Sequence, residues 1–140
     1  PTPDATRRSA SRGVKMGVSE LGVRRVLIVD DEPLIVRLLE MFLSELGADE
    51  VVKCANLPTL QEAIERGDYD LAILDVNLCG KTSFPAAERL MVARKPFFFV
   101  SGYVHEDMPA ALRQIPLVPK PYLIKDIEEA IRQVVPAAQT

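Results

Sequence analysis

A chain of 140 residues that is 48% hydrophobic is long enough for one well-buried core and short for two, and its formal charge of -3 offers no basic surplus of the kind that advertises nucleic-acid binding. Two cysteines without metal-ligand spacing, Cys54 and Cys79, with one histidine, His105, read as free thiols of a reducing compartment. No apolar run approaches the roughly 18 residues of a membrane span and no secretion signal opens the chain, so a soluble cytoplasmic protein without a membrane partner is expected.

Residues 1–23 are rich in Pro, Ser, Thr, Arg and Gly, cannot bury enough to order themselves, and are expected to form a flexible tail. Arg7-Arg8-Ser9 falls there and reads as solvated tail rather than a kinase target. From Arg25 the pattern changes: Val26-Leu27-Ile28-Val29 is a buried-strand signal that runs into three acids, Asp30-Asp31-Glu32. Pro33 suits the first turn of a helix, and Leu34, Ile35, Leu38, Leu39, Phe42, Leu43 and Leu46 carry the 3.6-residue period up to Gly47. Glu50 to Ala55 predicts a second strand, and Leu57, Leu60, Ala63 and Ile64 a second helix that Pro58 opens and Gly67 closes.

Leu71-Ala72-Ile73-Leu74-Asp75 is the third strand, four aliphatic residues ending in a carboxylate. Taken alone, Asp75 reads equally as a cap or as a reactive group. A third helix is expected from about Phe84 to Ala93, and Phe97-Phe98-Phe99-Val100 is a fourth strand leading into Ser101-Gly102-Tyr103. Val104 to Ile115 carries a weak helical pattern through Ala110, Ala111, Leu112 and Ile115, which predicts a short helix opened by Pro109. Leu117-Val118 is a fifth strand reaching Pro119-Lys120-Pro121, and Ile124, Ile127, Ala130, Ile131, Val134 and Val135 mark a last helix ended by Pro136. Five strands alternating with five helices imply an α/β fold, a doubly wound five-stranded parallel sheet of the flavodoxin-like (βα)5 kind, over residues 24–136 with a short tail at 137–140.

In such a sheet the strand ends share one edge, where open α/β folds place their chemistry. Asp30 and Asp31, Asp75, Ser101 and Lys120 therefore converge. Like charges a few ångströms apart repel by several kcal/mol at protein dielectric, so the acids need compensation. A hard divalent cation, Mg²⁺ or Mn²⁺, supplies it and leaves positions for water and phosphate oxygens. One carboxylate is then free to act as nucleophile toward a phosphoryl group, with Lys120 and the Ser101 hydroxyl stabilising the transferring oxygens.

On Val29-Asp30-Asp31-Glu32, Leu74-Asp75-Val76-Asn77-Leu78, Val100-Ser101-Gly102 and Lys120-Pro121, in this order, the chain resembles the response-regulator receiver domains of two-component signalling from Arg25 to Pro136. The resemblance implies that Asp75 is the phosphoacceptor, that Asp31 and Asp75 are direct metal ligands, that Asp30 acts largely through water, and that the backbone carbonyl of Asn77 is a further ligand. It also implies that Ser101 follows the incoming phosphoryl group, that Lys120 pairs with it, and that the Lys120–Pro121 peptide is cis, a form X-Pro bonds tolerate. The implied partners are a sensor histidine kinase or a histidine phosphotransfer protein and a downstream protein target. Direct nucleic-acid contact is not implied, and a homodimer is left open.

Two departures stand out. Leu117 occupies the place of the aromatic that receiver domains usually carry three residues before the lysine, whereas Phe99-Val100-Ser101-Gly102-Tyr103 is similar to the subset with a Phe-Ala-Thr-Gly-type motif. Tyr103 is thus a candidate substitute switch, against the alternative that it merely packs. The common Met-Pro-Gly turn after the acceptor is replaced by the longer, more polar run from Leu78 to Ser83. Glu32 reads as a solvated first-turn acid rather than one that touches the metal through water, Cys79 as an ordinary thiol rather than a redox-sensitive one, and His105 as exposed.

The expectation is a phosphorylation switch rather than an enzyme with a separate substrate, either standalone or part of a longer regulator. A phosphorylation-independent docking module would predict loss of an acid or of the lysine, and all are present. A flavin-binding protein of similar topology would need a Gly/Ser/Thr-rich phosphate loop after the first strand, where acids stand.

Overall fold

Apolar runs at 26–29, 71–74 and 97–100 form the centre of a parallel sheet in the computed structural model, which describes residues 17–102 and 108–136. Strands β1 (Arg25–Val29), β2 (Glu50–Cys54), β3 (Leu71–Asp75), β6 (Phe97–Ser101) and β7 (Leu117–Pro119) lie in the order β2-β1-β3-β6-β7. A two-stranded hairpin, β4 (Asn77–Leu78) with β5 (Lys81–Thr82), stands apart between β3 and the third helix. Helices α1 (Pro33–Glu45), α2 (Leu57–Arg66), α3 (Phe84–Ala93) and α4 (Ile124–Val134) cover the sheet. This is the five-stranded doubly wound architecture expected from the sequence, and the inner strands β3 and β6 are buried at every position, as a two-sided sheet requires.

The period of two along each strand sorts its side chains between two cores. Leu27, Val29, Ala72, Leu74, Phe97 and Phe99 face α2 and α3, while Val26, Ile28, Leu71, Ile73, Phe98 and Val100 face α1 and α4. Phe98 and Phe99 are both fully buried, one in each core, and truncating either to Ala costs about 3–5 kcal/mol. The helix ends follow local chemistry. Pro33 occupies the first turn of α1, the Asn56 side chain accepts the Thr59 N–H at 3.0 Å to open α2, and Gly67 at φ 70° closes it.

Three expectations change. Residues 17–23, expected within a flexible tail, are ordered: a 3-10 turn at Val18–Leu21 docks on the end of α1 through the Val18 N–H to the Leu46 carbonyl at 2.9 Å. Val18 and Val23 are buried in the α1/α4 core; two isolated valines carry no periodic signal, yet they fill its open end. Between β6 and β7 the described residues hold a 3-10 turn, Ala110–Leu112, in place of the expected fifth helix, although 103–107 lie outside them. Pro109 there is extended, and among the described residues of the segment Met108 and Leu112 are the buried ones. Third, the loop after Asp75 is itself structured as the β4–β5 hairpin. Residues 1–16 and 137–140, and with them the remaining tail expectations, lie outside the described residues.

Candidate functional site

Four strands deliver the site. Asp30 follows β1, Asp75 ends β3, Ser101 ends β6 and Lys120 follows β7. Parallel register sets Asp75 beside Val100 and Ser101 beside Pro119, and the Lys120 N–H donates to the Ser101 carbonyl at 3.0 Å. The Lys120–Pro121 peptide is cis. Asp30, Asp75 and Ser101 are buried, 2%, 5% and 2% exposed.

Lys120 organises the charges. Its Nζ lies 3.1 Å from Asp30 Oδ2, 3.1 Å from Glu32 Oε1 and 3.3 Å from Asp75 Oδ2. The Glu32 N–H donates to Asp30 Oδ1 at 2.9 Å, and the Asn77 N–H reaches Asp75 Oδ1 at 3.4 Å. Burial, then the Asp30 charge, push the Asp75 carboxyl up to about 6 despite the opposing pull of Lys120. Burial works against the Lys120 ammonium, but the Asp75, Asp30 and Glu32 carboxylates outweigh it and raise its pKa, so it stays charged.

Three carboxylates against one ammonium leave an excess of two negative charges when all are ionised. Oxygens of Asp30, Glu32 and Asp75 lie within 4.8 Å of one another, an all-oxygen donor set of the kind a hard divalent cation takes. The residues present therefore fit Mg²⁺, with Asp30, Asp75 and Glu32 as its nearest holders.

The acids that follow β1 turn to different partners. Asp31, expected as a direct ligand, turns to the hairpin: its Oδ2 accepts the Cys79 N–H at 2.9 Å and the Cys79 Sγ at 3.2 Å. The Cys79 thiol hydrogen bond is the main cause holding the Asp31 carboxyl below its usual range, and the same bond pushes the thiol up. Glu32, for which solvation was expected over contact with the metal through water, lies in the acid cluster. As the extended residue before α1 it is 60% exposed at its side chain, yet its carboxylate folds back to Lys120. Its place directly after the acid pair was the one available signal.

Ser101 is buried at the end of β6. Tyr103, the candidate substitute switch, lies outside the described residues, as does His105. Leu117 pairs with Phe99 in register and packs against the α2/α3 core. One aromatic escaped sequence reasoning: Tyr122, two residues after Lys120, is 5% exposed and packs edge-on against Phe42 of α1, ring centroids 6.3 Å apart. Its buried hydroxyl has no hydrogen-bond partner among the described residues, and burial followed by the Asp30 charge raises its pKa. Among the described residues no helix is long and apolar enough to cross a membrane.

Comparison with known proteins agrees with this fold. The response regulator receiver domain family matches residues 26–134. The sensory transduction protein LytR of Staphylococcus haemolyticus is 28% identical over 114 residues, which cover 79% of this chain and 44% of that protein. The chain thus spans about half the length of the curated relatives it matches. Among solved structures, SdrG from Sphingomonas melonis Fr1 superposes with a TM-score of 0.72 at 34% identity, covering 80% of this chain and 96% of SdrG. Response regulator protein TrrA from Thermotoga maritima, in complex with Mg(2+)-BeF, gives 0.66 at 26% identity, covering 79% of this chain and 98% of TrrA.

Proposed function

The chain belongs to the response regulator receiver domain family, and on that premise we propose that it is a phosphoryl-accepting switch with Asp75 as the acceptor. One observation carries the reading. Asp75 ends its strand half enclosed by Asp30 and Glu32, with the Lys120 ammonium 3.3 Å from its carboxylate, so the acceptor and the cation that would meet a phosphoryl group are already paired.

A carboxylate oxygen of Asp75 attacks phosphorus of a phosphohistidine; the P–N bond breaks, and the leaving imidazole keeps the electron pair and takes a proton. Lys120, drawn from Asp30 and Glu32, neutralises charge on the phosphoryl oxygens, and the Ser101 hydroxyl donates to one of them. Asp30, Asp75 and Glu32 would hold Mg²⁺, which would supply further neutralisation, and the Mg(2+)-BeF complex of the similar protein TrrA supports a divalent cation in such a site. The aspartyl phosphate carries about -1.5 to -2 charge, which biases Ser101, Lys120 and the surface beyond them toward a different partner affinity. No separate substrate is turned over. The protein acts in the cytoplasm, the donor is a sensor histidine kinase or histidine phosphotransfer protein, and the receiver of the signal is a downstream protein.

Incubation with Mg²⁺ and a small phosphodonor, followed by intact-protein mass measurement, tests the reading. A gain of one phosphoryl group is expected, abolished in Asp75→Ala and by chelation. A gain that survives Asp75→Ala would refute it.

A further inference from the structure

Cys79 and Gly80 form the two-residue turn of the β4–β5 hairpin, with φ of 51° and 83°. Two consecutive positive φ angles define the hairpin turn that Asn-Gly and Asp-Gly favour, and a cysteine in the first place pays a steric penalty. That conformation aims both Cys79 donors at Asp31 Oδ2, the N–H at 2.9 Å and the Sγ at 3.2 Å. The turn is anchored independently of Asp31. Asn77 pairs with Thr82 and Leu78 with Lys81, Leu78 is 3% exposed within the α2/α3 core, and the Ser83 N–H donates to the Val76 carbonyl at 2.8 Å. Asp31 thus yields to the hairpin, and the cluster of acid oxygens forms from Asp30, Glu32 and Asp75 without it.

Building on the phosphoacceptor reading, we propose that Cys79 is a positioning residue that latches Asp31 away from the metal site, so that bringing this carboxylate to a bound cation requires release of the hairpin tip. The latch lowers the affinity for Mg²⁺ and makes the hairpin a sensor of site occupancy.

Calorimetric titration of the metal-free protein with Mg²⁺ tests this. Cys79→Ala, which removes the S–H donor, is expected to bind Mg²⁺ about threefold to tenfold more tightly, the range a lost hydrogen bond of ordinary strength spans. Cys79→Ser keeps a donor and is expected to bind no more tightly than the unaltered protein. Equal affinity in Cys79→Ala, or equal tightening in both variants, would overturn the latch while leaving the phosphoacceptor reading intact. No Mg²⁺ binding by the unaltered protein would overturn both. Amide NMR of the unaltered protein gives a second readout: the Cys79 N–H resonance is expected to move upfield as Mg²⁺ saturates the site, and an unmoved resonance counts against the latch.

Discussion

The two edges of the sheet carry the same residue types to opposite effect. At the amino edge Arg24 pairs with Asp49 at 3.3 Å, Arg25 with Glu50 at 3.4 Å and with Asp68 at 3.2 Å, and Asp70 accepts the Arg24 and Arg25 backbone N–H groups at 2.9 and 3.0 Å. The ion-paired acids are well exposed, and the three of them share two guanidiniums, Arg25 serving both Glu50 and Asp68. At the carboxyl edge one ammonium serves three carboxylates, and the Asp30 and Asp75 side chains are 0% and 7% exposed. Exposed ion pairs in water contribute little, whereas a buried surplus of carboxylates is costly unless compensated. The contrast is therefore one of ratio and burial rather than of composition.

Lys120→Ala should break that contrast most severely. Removing the sole ammonium leaves two buried carboxylates facing each other, a loss of about 3 kcal/mol in metal-free denaturant unfolding at neutral pH. Added Mg²⁺ should recover much of it, because the cation compensates the same charges; no recovery would argue against a metal site there.

The pH response follows from Asp75. Its folded-state value, about 6, lies above the ordinary 3.8, so the folded form holds the proton more tightly. The corresponding stability is fully present below 3.8 and is lost as pH rises through about 6. Metal-free protein should therefore lose roughly 1.4 kcal/mol between pH 5 and 7.5 from this group, and a saturating cation should flatten the profile. Stability that rises over this window without metal would contradict the charge excess. At the amino edge Arg24→Ala removes an exposed pair and should change unfolding free energy by less than about 0.5 kcal/mol, with no Mg²⁺ dependence. A larger effect would erase the distinction between the edges.

How much of this was legible depended on the range of the cause. Strands and helices with unbroken or periodic apolar runs were readable because burial on both faces of a parallel sheet leaves a local signature. Asp30, Asp75, Ser101 and Lys120 could be placed together because topology alone brings strand ends to one edge. Features set by a single backbone angle or side-chain reach were not readable. The turn of Asp31 toward Cys79 follows from a positive φ that a cysteine seldom adopts, and the engagement of Glu32 follows from its carboxylate folding back across the entry to α1. Val18 and Val23 were hidden because two valines seal the core without making a pattern, and Tyr122 because its neighbours come from α1, about eighty positions away.

The most direct measurement is the identity of the residue that takes up phosphorus. After reaction with a phosphohistidine donor, borohydride reduction of the acyl phosphate and peptide mapping should place the resulting homoserine at position 75. Modification at Asp30, Asp31 or Glu32, or none in a protein that binds Mg²⁺, would contradict the assignment of Asp75 as the acceptor.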